Sequence, residues 1–162
     1  MLYTAFVRPH LEYANSVWSP YFKYDIETME KVQNRATKLV PEIWNLPSEE
    51  RLIRMGLSTL EERRIRGDLI QIYKLAHGLN ILDEKNSPKF GLYNTYKTSL
   101  KGIDLKLERE LVKNSLPRYN FLYNRIVNSW NGLTNEIVHS SSLNRFKSKI
   151  DELKNLKKNF YV

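Results

Sequence analysis

Phosphoryl or nucleotidyl chemistry with two divalent cations needs several carboxylates converging on one point, because the metals must be held about 3.5–4 Å apart. The aspartates of this sequence, Asp25, Asp68, Asp83, Asp104 and Asp151, are dispersed, and no two are adjacent. Glu49-Glu50 and Glu61-Glu62 are paired. Both pairs fall in first helical turns, where negative charge offsets the helix dipole. With no cysteine and only His10, His77 and His139, neither a thiolate nucleophile nor a zinc set is offered. There is no Gly-x-Ser-x-Gly elbow, and no glycine-rich phosphate loop of either common kind. His10 behind Pro9 and His77 at a helix end read as packing or capping residues. The sequence names no catalytic residue, no metal ligand and no cofactor.

The remaining chemistry is cationic. Lys31, Arg35 and Lys38 lie at i, i+4 and i+7, so a helix would place them along one face, where they could follow phosphates without reading bases. Arg63, Arg64 and Arg66 form a second cluster, partly neutralised by Glu61, Glu62 and Asp68. From Ser142 onward Arg145, Lys147, Lys149, Lys154, Lys157 and Lys158 outnumber Asp151 and Glu152. The candidate nucleic-acid contacts are therefore Lys31, Arg35, Lys38, Arg63, Arg66, Arg145 and Lys149. A net charge of +8 fits a polyanionic partner, through release of the counterions condensed on phosphate. A solvated helical surface has the same composition, so charge alone leaves both readings open.

The elements that would carry these residues follow from periodicity. The opening, 1–17, has helical spacing interrupted around Pro9. From Asp25, the apolar positions Ile26, Met29, Val32, Ala36, Leu39 and Ile43 predict an amphipathic helix that Pro41 ends. A short helix begins at Pro47-Ser48-Glu49-Glu50 and closes on Gly56 as a left-handed terminator. Thr59 with Glu62 makes a capping box for a helix buried through Ile65, Leu69, Ile72, Tyr73 and Ala76, up to Gly78. Residues 80–99 lack periodicity and read as a linker. Alternation at Ile103, Leu105 and Leu107 predicts a short strand, with Leu111-Val112 as its continuation or partner. Two helices follow, one through Phe121, Leu122, Arg125, Ile126, Ser129 and Trp130, the other through Leu143, Phe146, Ile150 and Leu153 after a serine run suited to capping. Trp18, Trp44 and Trp130, near helix ends, read as core or module-packing residues.

At 162 residues, 41% hydrophobic and 12% aromatic, the chain has the composition of a folded protein of one or two modules. The predicted class is mainly α: a small helical bundle at 1–79, a linker at 80–99, and a second small module at 100–162 with a short β-hairpin and two helices. No apolar run approaches the roughly 18 residues of a membrane span, and the start lacks the pattern of a secretory signal. The expectation is an intracellular protein, nuclear or cytoplasmic, without a membrane partner.

The residues Val7-Arg8-Pro9-His10-Leu11-Glu12-Tyr13-Ala14 and Val17-Trp18-Ser19-Pro20-Tyr21 resemble the segment just after the polymerase palm in non-LTR (LINE-like) retrotransposon reverse transcriptases of the jockey and CR1 type. Glu30 to Val40, Glu49 to Leu52, Leu60 to Ile70 with Tyr73-Lys74, Asn124 to Leu133, and Ser142 to Lys147 are similar to successive later blocks, in the same order. The sequence departs from that pattern at 98–102 and at Thr134. The resemblance implies that the first module is thumb-like and holds template and growing strand, RNA, DNA or their hybrid. It also implies that fingers and palm, with the metal-binding turn, belong to the upstream part of the parent RNA-directed DNA polymerase. The later module would be a carboxy-terminal extension with a basic last helix. The competing expectations are a helical remnant that binds nothing, and a helix-turn-helix DNA-binding protein built on the helices around Thr59.

Overall fold

The computed structural model of the chain describes residues 2–83, 87–92 and 105–159. It is mainly helical, with one pair of short strands among the described residues. Contacts divide it into two compact units, Met1–Gly67 and Asp68–Val162. The division falls inside a helix and not in the 80–99 segment that composition suggested. That helix runs on across the boundary, where Gly67 stands, so no loop marks where one unit gives way to the next.

The first unit opens on a widened, π-type turn, Tyr3–Val7, leading into α1, Arg8–Glu12. Pro9 has no N–H to donate to the preceding turn, and its ring would crowd the carbonyl four residues back. Widening that turn, with the Arg8 N–H bonded to the Tyr3 carbonyl, keeps the segment helical across the proline. α2 spans Lys23–Lys38 and α3 spans Ser48–Arg54. α3 ends as the sequence predicts: Gly56 has φ +62°, its N–H bonds Ile53 and the Leu57 N–H bonds Leu52 at 2.8 Å. These are the two bonds of a Schellman cap, and Leu57 packs with Leu52 beneath it. α4, Leu60–Ala76, starts with the predicted capping box. The Glu62 N–H donates to Thr59 Oγ1 at 3.2 Å and the Thr59 N–H donates to Glu62 Oε2 at 3.3 Å.

α2 is rotated from the apolar stripe predicted for it. Val32 and Leu39 are exposed, the latter at 82%, and Ile43 is buried but lies beyond the helix end. The residues buried in their place are Gln33 and Thr37. Polarity is tolerated there because each group is bonded. The Tyr3 hydroxyl donates to Gln33 Oε1 at 2.8 Å, Gln33 Nε2 donates to the Ser58 carbonyl at 3.0 Å, and the Thr37 hydroxyl donates to the Asn34 carbonyl at 2.9 Å. Arg51, 2% exposed, donates from Nε to Thr37 Oγ1 at 3.1 Å and from its terminal nitrogens to the Leu46 carbonyl and to Asn34 Oδ1. Neutral oxygens thus satisfy a buried guanidinium. A small apolar cluster, Tyr3, Leu52 and Leu57 with Leu11, Ala36 and Met55 packed on it, accompanies this network.

The second unit has the larger core. Leu69, Ile72 and Tyr73 of α4 pack with Leu107, Leu122, Ile126, Val127, Trp130, Ile137, Val138, Phe146 and Ile150. Gly78 at φ +66° closes α4, with the same two bonds seen after α3. Strands β1, Phe90–Leu92, and β2, Leu105–Leu107, pair antiparallel with Phe90 opposite Leu107. The predicted strand is present in part, whereas Ile103 and Asp104 lie outside the described residues. Its partner is β1, drawn from the predicted linker, and not Leu111-Val112: Leu111 is 94% exposed. Next come α5, Leu116–Tyr119, α6, Leu122–Asn131, α7, Asn135–Val138, and α8, Leu143–Asn159. The short α5 and α7 were not predicted, since four residues are too few to show a period. Trp130 Nε1 donates to the Leu105 carbonyl at 2.8 Å, and the Asn131 amide brackets the Leu107 backbone at 2.9 and 3.0 Å, fixing β2 on α6. Ser142 caps α8 through the Arg145 N–H at 3.3 Å.

Arg51→Ala leaves Asn34, Thr37 and Leu46 oxygens without their donors, and is predicted to destabilise the first unit by about 2–4 kcal/mol. The check is faster amide exchange across α2 and α3. Glu50→Ala, which removes an exposed i,i+4 pair with Arg54 and one first-turn carboxylate of α3, is predicted to change it by less than about 1 kcal/mol. Burial pushes the Tyr3 phenol up to about 12. A phenol whose folded value is raised adds stability that is whole below pH 10 and is lost as pH rises through 12. Exchange in the first unit should therefore accelerate between pH 10 and 12 beyond the intrinsic base-catalysed rate, and Tyr3→Phe should flatten that excess.

Candidate nucleic-acid interface

The rotation of α2 decides which charges face solvent. At about 100° per residue, Gln33 stands opposite the arc that holds Lys31, Arg35 and Lys38. All three cations are exposed and none has an ion-pair partner among the described residues. Lys31 and Lys38 are about 10 Å apart along the axis at 1.5 Å rise per residue. The acids of α2 are all in its first half, Asp25, Glu27 and Glu30. Glu27 lies 3.8 Å from Lys23. Glu30 accepts the Glu61 N–H at 3.0 Å, at the positive end of α4, where a carboxylate is favoured. From Lys31 to Lys38 the helix has three cations and no acid.

Tyr24 falls on the same arc, 73% exposed. Thr28, also on it, turns its hydroxyl inward to the Tyr24 carbonyl at 2.8 Å. Just before α2, the Tyr21 and Phe22 rings lie 4.5 Å apart, centroid to centroid, and both are exposed. Of the three tryptophans, Trp130 is the core residue expected, while Trp18 and Trp44 are exposed, contrary to the packing role predicted for them.

The other candidate cations are placed differently. Arg63 is committed to Glu12: the guanidinium pairs through Nε and through a second nitrogen at 2.8 Å, and Arg8 lies 3.5 Å from the same carboxylate. The local neutralisation expected of the Arg63, Arg64 and Arg66 cluster from Glu61, Glu62 and Asp68 is, for Arg63, replaced by a partner 51 residues distant, which leaves no local trace. Arg66 is half-buried. Arg145 is exposed and donates to Ser141 Oγ at 3.2 Å. Lys149 donates to the Glu136 carboxylate at 2.7 Å and to its backbone carbonyl at 3.0 Å. The bond from Lys149 holds the Glu136 carboxyl below the usual carboxylate range. Arg63 and Lys149 thus each already bind a protein carboxylate.

Two charged residues that matter were not among the candidates, Arg51 and Arg125. Arg125 forms a fork with Asp68 in the second unit, 2.8 Å from Nε to Oδ2 and 2.9 Å from Nη2 to Oδ1, with the Asp68 side chain 4% exposed. His77 Nε2 lies 2.8 Å from the Val138 carbonyl and its ring lies over Tyr73, a packing role as expected. Among the described residues no group of three His, Asp or Glu side chains could hold a metal ion, and no helix is long and apolar enough to cross a membrane. No protein-family model, curated protein or solved structure matches this chain.

Asp68→Asn keeps the shape but strips the charge from the buried side of a fork with the half-buried Arg125 guanidinium, and is predicted to lower second-unit stability by about 2–3 kcal/mol. Glu136→Ala removes an exposed partner of Lys149 and is predicted to lower stability far less than Asp68→Asn does. Thermal melting of the two variants beside the parent chain checks the order.

Proposed function

We propose that this chain is the carboxy-terminal, non-catalytic region of a non-LTR retrotransposon reverse transcriptase, and that it grips the template-primer nucleic acid of its parent RNA-directed DNA polymerase. The observation that carries the reading is the face of α2: Lys31, Arg35 and Lys38 outward, in a row, with no acid on the second half of the helix. Such a row meets phosphates and carries no base-reading geometry, which suits a grip that must be released and remade as a strand grows. The ordered blocks from Val7 to Lys147 support the family, and the mainly helical fold is consistent with a thumb. The tip of α4 does not favour the helix-turn-helix alternative. Glu61 and Glu62 stand there with Glu30 bound to the Glu61 N–H, and a phosphate backbone would repel that cluster.

The test is the salt dependence of binding. The full chain is predicted to bind duplex and hybrid with weak sequence preference, and log K to fall linearly with log salt. Reversing all three charges, Lys31→Glu, Arg35→Glu and Lys38→Glu, should reduce that slope by about 2–3, at roughly 0.9 per lost phosphate contact. A slope unaltered by the triple change overturns this choice of surface. Strong preference for one short duplex sequence overturns the grip itself.

A further inference from the structure

The rings at the start of α2 add a feature that a purely phosphate-directed surface does not need. Tyr24 lies on the arc of Lys31, Arg35 and Lys38, about 10 Å along the axis from Lys31, and is 73% exposed. Tyr21 and Phe22, in contact with each other, stand just before the helix, with Lys23 between them and Tyr24. A duplex keeps its base faces stacked inside and shows an α-helix lying along its backbone only phosphate and sugar, so these rings gain nothing from it. An unpaired strand offers both a phosphate chain and open base faces, and proteins that hold single strands combine a cationic track with aromatic platforms. The charge layout fits that occupant. One acid, Glu27, borders the arc between Tyr24 and Lys31, as close to it as Thr28, and lies 3.8 Å from Lys23; the Thr28 hydroxyl is turned away into the helix. From Tyr24 onward the arc therefore offers a strand one ring, then three cations past the Lys23–Glu27 pair at its edge.

We infer that α2 holds an unpaired nucleic-acid segment, with a base stacked on Tyr24 and the following phosphates on Lys31, Arg35 and Lys38. This deepens the proposed phosphate grip of α2 and rests on it.

The experiment measures fluorescence anisotropy of the full chain with two labelled probes, a short oligothymidylate and a blunt duplex of equal length. Tyr24→Ala should weaken single-strand binding by about tenfold and duplex binding by less than about twofold. Tyr24→Phe keeps the ring and should keep the affinity. Tyr24 is a surface side chain, so the variants should fold as the parent does, which circular dichroism checks. If Tyr24→Ala leaves single-strand binding unchanged, or weakens both probes equally, while the triple charge reversal abolishes both, the stacking inference is overturned and the phosphate grip stands. If the triple reversal affects neither probe, the grip is overturned and the inference falls with it.

Discussion

α2 is held at one rotation by hydrogen bonds through Gln33 and Thr37, and the outward face of that helix follows from them. Tyr3 and Ser58 clamp the two ends of the Gln33 amide, and Arg51 reaches Thr37 and Asn34 from α3. An apolar ridge would tolerate a modest roll of the helix, because dispersion contacts are non-directional. A buried amide and a buried guanidinium do not, because a roll that breaks one bond leaves a polar group stranded without water. The polar ridge inside and the cationic row outside are two sides of one constraint.

The second unit is built on a different principle. Trp130 and Phe146 fill its centre, and directional bonds pin the periphery to that mass: Trp130 and Asn131 hold β2, while Arg125 holds Asp68 at the start of the unit. A two-stranded ribbon is marginal alone in water. Here the buried Leu107 and the bracketing Asn131 amide supply what the strand pair lacks.

Charge is divided by use. Arg51, Arg63, Arg125 and Lys149 bind protein oxygens, whereas Lys31, Arg35 and Lys38 are turned to solvent on a segment without acids. A composition of +8 therefore says little about where a polyanion would sit. The distinction lies in which cations have already given up their water to protein acceptors, since those gain less from a phosphate.

Local chemistry was legible in the sequence. The Thr59–Glu62 box, the terminators Gly56 and Gly78, the Ser142 cap and the helical spacing of Lys31, Arg35 and Lys38 each depend on residues within a few positions, and a periodic pattern exposes them. Distant pairing was not. That Gln33 and Thr37 go inside in place of Val32 and Leu39, that Arg63 meets Glu12, that Phe90 and not Leu111 faces the predicted strand, and that the units divide within α4 were all decided by the tertiary structure. The physical reason is that a polar group's preference for inside or outside depends on whether an acceptor waits for it, and that acceptor comes from a part of the chain no local window contains.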